Sequence, residues 1–182
     1  MLEVLILSII QGITEFIPIS SSSHLILVSH YLNFDDQSLS IDLSLHVGSF
    51  LAVITYFRKD IFYFIKNKDL FIKIVVSSIP VMLVGFFLIK FDLIESLRNP
   101  EIIGWTTLIF GILLYISDKS TLEKKINNNF TFKTAIFIGI SQILSLIPGV
   151  SRSGISITAA RMLKFKRIDS AKISFLLSIP TL

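Results

Sequence analysis

The chain has 182 residues, of which 52% are hydrophobic and 16% charged, with 16 Phe and no Cys. That is more apolar than a soluble domain of this length needs, and the lack of Cys excludes a disulfide framework, a thiolate metal site and a cysteine nucleophile. A formal charge of +4 would suit nucleic acid in a soluble protein, but all 17 Lys and Arg follow Phe57 and cluster between apolar runs, which marks membrane loops and argues for no nucleic-acid partner.

In chain order, the first segment is 1–42. Its opening run, Met1 to Ile10, lacks the basic start of a signal peptide and reads as retained structure. Polar residues and Pro18 then interrupt it, so it does not read as a simple span. Gln11 and Glu15 stand four apart on one helical face and together offer oxygens to a cation. A carboxylate is expensive inside a bilayer, so Glu15 is a functional-site candidate rather than a solvated interfacial residue. The run Ser20-Ser21-Ser22-Ser23-His24 places hydroxyls and backbone N–H groups at a helix start, a natural anion site. Helix capping alone explains one or two of these serines. His24 can serve as base or nucleophile; His30 and His46 have no comparable neighbours in sequence and read as structural or interfacial.

Three transmembrane helices are predicted within 43–118, from the apolar runs Leu43 to Phe57, Phe71 to Ile89 and Ile102 to Ile116. Each approaches the roughly 20 residues needed to cross the hydrocarbon. The loop at 58–70 is basic, with Arg58, Lys59, Lys66 and Lys68. The loop at 90–101 is mixed, with Asp92, Glu95 and Glu101, and 119–133 is basic again, with Lys119, Lys124 and Lys125. The first and third loops are therefore predicted to be cytoplasmic. Segment 134–163 is apolar but broken at Pro148-Gly149-Val150-Ser151-Arg152-Ser153-Gly154, and Lys133 on one flank and Lys164, Lys166 and Arg167 on the other both look cytoplasmic. A segment that enters and leaves on one side is a re-entrant hairpin, which needs protein or water around its irregular backbone. Guanidinium between two serines at a helix break is phosphate-binding chemistry; snorkelling to the interface is the plainer alternative for Arg152. A further span begins over 171–182.

Offset by 130 positions, Ile17-Pro18 falls on Ile147-Pro148, Ser21 on Ser151 and Ser23 on Ser153. The expected fold class is thus all-α: a polytopic helical membrane protein, one membrane domain over 1–182, with two re-entrant helix hairpins related as an inverted repeat whose tips meet near the midplane. A metal ligand pair, a base or nucleophile and a phosphate clamp together suggest phosphoryl transfer to water.

These residues resemble the undecaprenyl-diphosphate phosphatase family, the bacitracin-resistance type of bacterial membrane phosphatase. Gln11 to Glu15 in QGITEFIPISSSSH matches its acidic motif and PGVSRSG at 148–154 its Pro-Gly-x-Ser-Arg-Ser motif; LHVGSFLAVITYFRKD at 45–60 and FLLSIPT at 175–181 are similar too. Ser23 and Ser156 depart from the family's usual Gly and Thr. The resemblance implies hydrolysis of undecaprenyl diphosphate to the monophosphate carrier recycled for cell-wall synthesis, in the bacterial inner membrane, with the site facing the periplasm and a divalent cation, Mg or Ca, as cofactor. It implies that Glu15 and Gln11 bind that metal, that Arg152 holds the phosphates, and that Ser20, Ser22, Gly149, Ser151 and Ser153 help to bind substrate. Ser21 or His24 supplies the nucleophile or base, and spacing permits either. The partners expected are the polyprenyl lipid and a second copy in a homodimer. Family members continue past the point matching Leu182, so a C-terminally truncated chain is expected. The rival reading is a transporter or flippase of a phosphorylated polyprenyl lipid.

Overall fold

The computed structural model describes residues 2–34, 39–56, 58–91, 97, 99–119 and 124–181. Every named element is helical, as the all-α reading requires. Helix α1 (Leu2–Thr14) and helix α2 (Ser21–Leu32) pack on each other across the break at 15–20. At 13 and 12 residues they rise roughly 20 Å each, short of the roughly 30 Å hydrocarbon core. Helix α3 (Leu39–Tyr56) lies on α1.

The basic stretch after Tyr56, expected as loop, contains helix α4 (Arg58–Lys66). Its aromatic residues explain the difference. Phe64 is buried and its ring meets Phe71 at 5.4 Å between centroids, so an amphipathic helix docks where charge alone suggests a solvated linker. Helix α5 (Lys68–Lys90) starts at Asn67, whose side chain accepts from the Leu70 N–H, and helix α6 (Pro100–Asp118) starts at Asn99 with proline in its first turn. These two helices are long and apolar enough to cross a membrane, and little of either is buried inside the protein. The third predicted span is shorter, an apolar helix over Ser40–Tyr56. Asp92 and Glu95 lie outside the described residues.

Within the predicted loop at 119–133 sits one helical turn, α7 (Ile126–Asn129). Helix α8 (Phe132–Gln142) opens on a capping box between Thr131 and Thr134 and runs into a 3-10 turn, Ile143–Leu146. Helix α9 (Arg152–Met162) and helix α10 (Arg167–Thr181) complete the order. The second interrupted segment thus has the plan of the first: two short helices either side of a proline break.

The core lies where α5, α8, α9 and α10 meet, around Ile74, Ala135, Ile138, Ala159, Ala160, Phe165, Ile173 and Leu177. Small residues set its spacing. Any Cβ on Gly139 would collide with the Ser77 carbonyl, and the Ser77 hydroxyl donates to the Ala135 carbonyl at 2.6 Å. Close backbone approach plus an interhelical hydrogen bond is how helices associate where lipid supplies no hydrophobic drive. At the far end of α9, buried Arg161 donates to the Phe165 and Asp118 carbonyls at 2.6 and 2.9 Å, and Asp118 also accepts from Arg167 at 2.7 Å. That network locks α9 and α10 to the end of α6.

Gly139→Val should therefore push α8 off α5 and lower the thermal unfolding midpoint in detergent by several degrees, whereas Gly104→Ala, which has open space around its Cβ, should leave it within about a degree.

Candidate active site

The two proline breaks meet. Glu15, just past the end of α1, is buried, and its Oε1 accepts from the Arg152 guanidinium at 2.6 Å. Arg152 is the first residue of α9, 137 positions later. A second tie runs beside the first, as the Ser153 hydroxyl donates to the Ile17 carbonyl at 3.2 Å. A buried ion pair of this kind holds only where hydrogen bonds occupy the remaining lone pairs. Here Glu15 Oε2 accepts from the Ser21 hydroxyl at 2.6 Å and from the Gln11 side-chain amide at 2.8 Å, while His46 Nε2 stands 3.4 Å away.

Local backbone chemistry puts these groups in place. Ser20 takes φ of 60°, turning the chain into α2, and its hydroxyl pairs with Ser23 at 2.8 Å. On the other side, the Ser151 hydroxyl caps α9 by accepting from the Gly154 N–H at 3.1 Å. Gly149 takes φ of 96°, and a Cβ there would collide with the Thr106 hydroxyl and approach the Ile103 carbonyl at 2.8 Å. Helix α6 clasps this loop, since Thr106 donates to the Pro148 carbonyl at 2.7 Å and Thr107 to the Gly149 carbonyl at 3.3 Å.

Glu15, Ser20, Ser21, Ser22, Ser151, Arg152 and Ser153 all line one cavity of about 740 Å³. The N-termini of α2 and α9 therefore open on the same space, with Arg152 between them. Backbone N–H groups at two helix starts and a guanidinium make this a strongly anion-attracting cavity. Its wall includes Leu43, Val81, Met82 and Phe86, so a polar head space adjoins an apolar one.

The remaining sequence candidates divide. Gln11 touches Glu15 from α1. Gly149 and His24 line a smaller neighbouring cavity of about 320 Å³ with Pro18, Thr107 and Phe110; Ser151 borders both cavities. The His24 ring is pinned by Nδ1 to the Ser20 carbonyl at 2.7 Å. Three residues entered the site unannounced. His46 and Asp42 come from α3, and Thr181 on α10 accepts from the Arg152 guanidinium at 3.3 Å. His46 reads as structural or interfacial in the sequence because its partner Glu15 is 31 positions away; the stretch at 45–60 that resembles the phosphatase family was its only signal.

Whether a divalent cation suits this site is tested by its donors. Among the described residues, no three carboxylate, imidazole or thiolate side chains gather for a metal. Gln11 Oε1, however, is buried without a hydrogen-bond partner directly beside a carboxylate, and hard cations such as magnesium take one or two carboxylates, neutral oxygens and substrate phosphates. The residues fit a cation that shares its shell with a phosphate ligand.

Residues 4–182 match the family model described as "Bacitracin resistance protein BacA". The chain belongs to that family. Among its relatives are undecaprenyl-diphosphatases from Pelagibacter ubique (strain HTCC1062), 52% identical over 182 residues covering 100% of this chain and 71% of the relative, and from Teredinibacter turnerae, 44% identical over 196 residues covering 100% and 74%. A third, from Ruegeria sp. (strain TM1040), is 40% identical over 195 residues covering 100% and 73%.

The clasp on the second break yields a direct expectation. Gly149→Ala introduces a Cβ at positive φ against Thr106 and should destabilise the protein by about 2 kcal/mol, read as a lowered unfolding midpoint in detergent. An unchanged midpoint would show that α6 does not hold the loop.

Proposed function

We propose that this protein hydrolyses undecaprenyl diphosphate to undecaprenyl phosphate and inorganic phosphate, recycling the lipid carrier for cell-wall synthesis and conferring bacitracin resistance. Membership of the BacA family and relatives named undecaprenyl-diphosphatase support the activity. The single structural observation that carries the chemistry is the convergence of Glu15, Ser21 and Arg152 from two distant breaks on one cavity.

Before substrate arrives, Arg152 is occupied by Glu15. The diphosphate competes for the guanidinium fork, which is geometrically matched to phosphate oxygens, and the N–H groups at the starts of α2 and α9 take the remaining charge. Losing the guanidinium leaves Glu15 a better acceptor for the Ser21 hydroxyl it already holds at 2.6 Å. Nucleophile and base in hydrogen-bond contact are the signature of covalent catalysis, and this favours Ser21 over His24, which lines the other cavity. Ser21 Oγ forms a bond to the terminal phosphorus as its proton passes to Glu15. The anhydride P–O bond breaks, and undecaprenyl phosphate leaves. Water then attacks the phosphoserine, inorganic phosphate leaves, and Ser21 regains its proton. A magnesium or calcium ion held by Glu15 and Gln11 supplies neutralisation of the diphosphate charge when bound. Ser20, Ser22, Ser151 and Ser153 contribute hydroxyls around the phosphates.

In this reading the two broken segments are inverted re-entrant hairpins in a bacterial inner membrane, with the site open to the periplasm. The charge pattern supports it: the first hairpin lies in a stretch with no Lys or Arg, and the second is flanked by Lys133, Lys164, Lys166 and Arg167.

Phosphate release from undecaprenyl diphosphate in detergent, with and without Mg²⁺, tests the reading. Wild type should turn over; Arg152→Ala should lose at least about a hundredfold in kcat/KM, and Arg152→Lys nearly as much, because a point charge cannot reproduce the fork. Folded wild type that releases no phosphate while moving the lipid between leaflets would instead establish a transporter.

A further inference from the structure

His46 faces Glu15 with its chemistry already specified. Its Nδ1 lies 2.7 Å from the Asp42 backbone carbonyl, which can only accept, so Nδ1 donates there and Nε2 is the ring nitrogen turned to Glu15. The 3.4 Å from Nε2 to Glu15 Oε2 is longer than a made N–H···O bond. A ring nitrogen and a carboxylate oxygen at that spacing suit adjacent positions on one cation. Ligands at right angles lie about 3.4 Å apart on an ion with bonds of about 2.4 Å and about 3.0 Å apart on a smaller divalent ion with bonds of about 2.1 Å, so Nε2 and Oε2 stand within a few tenths of an ångström of a shared shell.

Gln11 gives an independent sign. Its Nε2 donates to the same Glu15 oxygen, which leaves Oε1 buried and without a partner. Half a turn of the amide exchanges the two atoms and brings Oε1 to the Glu15 side. That rotation is unfavourable beside a bare carboxylate and favourable once a cation sits there. Ser21 and, until a phosphate takes the guanidinium, Arg152 hold Glu15 from other directions, so the carboxylate keeps its place.

We propose that His46 is a ligand of this protein's divalent cation, completing a set of Gln11 Oε1, Glu15 Oε2 and His46 Nε2 whose open positions take phosphate oxygens of the substrate. The inference rests on the cation assigned above to Glu15 and Gln11 and extends it to a third side chain. The Asp42 carbonyl is then the outer partner that sets the ring's tautomer, as metal-bound imidazoles usually have. An imidazole in the set favours Mn²⁺ and other first-row divalent ions over Ca²⁺.

Mn²⁺ bound to the purified full chain provides the probe. The chain has three histidines, so pulsed paramagnetic resonance can assign a ligating nitrogen by elimination. Histidine nitrogen coupling to Mn²⁺ should be present in wild type, persist in the His24→Gln/His30→Gln double variant and vanish in His46→Gln, with Mn²⁺ affinity in the last falling roughly tenfold or more. The double variant retains His46 alone and decides the matter even where His46→Gln fails to fold. Absence of nitrogen coupling in wild type, or its loss in the double variant, overturns the proposal. Phosphate release is measured on the same wild-type sample. Nitrogen coupling without turnover leaves the His46 ligand standing and removes the phosphatase reading; turnover without coupling does the reverse.

Discussion

The ion pair between Glu15 and Arg152 is the constraint around which the rest of the structure is arranged. A carboxylate and a guanidinium within an apolar helical protein are each expensive to bury alone, and with Glu15 buried and Arg152 partly open to the cavity, removing one partner costs about 3 kcal/mol. Each charge therefore requires the other, and they sit on breaks 137 residues apart. Bringing them together dictates that both segments stop being helical where they meet. Pro18 and Pro148 interrupt the helices, and the serines that follow restart them with hydroxyls and free N–H groups facing inward. The site's appetite for anions is thus a consequence of how the fold tolerates its own charges.

The scaffold around the pair is built from close approach rather than bulk. Gly139 against the Ser77 carbonyl fixes α8 on α5, and Gly149 under Thr106 fixes the second break on α6. Buried Arg161 and exposed Arg167 both reach Asp118, anchoring the opposite end of α9. With α9 held at both ends, Arg152 at its start has little freedom, and the guanidinium is pre-organised for a fork-shaped ligand.

Much of this was legible in the sequence because charge inside an apolar run has few explanations. Glu15, Arg152 and the paired proline breaks stand out against their surroundings, and the all-helical plan follows from composition. Residues whose meaning depends on packing were not legible. His46 gains its place only because α3 lies on α1, and Thr181 only because α10 lies on α9. Helix α4 was hidden because its basic residues mask an aromatic face that docks Phe64 against Phe71. His24 shows the converse. Its sequence neighbours suggest the larger cavity, yet the helical rotation set by the Ser20 turn directs it to the smaller one, which Ser151 also borders.

The most direct test of the central claim is a double-mutant cycle on the pair, read as thermal or denaturant stability in detergent. Glu15→Gln and Arg152→Gln should each destabilise strongly, and the double variant should be no worse than the milder single, giving a coupling of at least about 3 kcal/mol. Additive effects of the two substitutions would contradict the account, because they would mean that the breaks are not joined through Glu15 and Arg152.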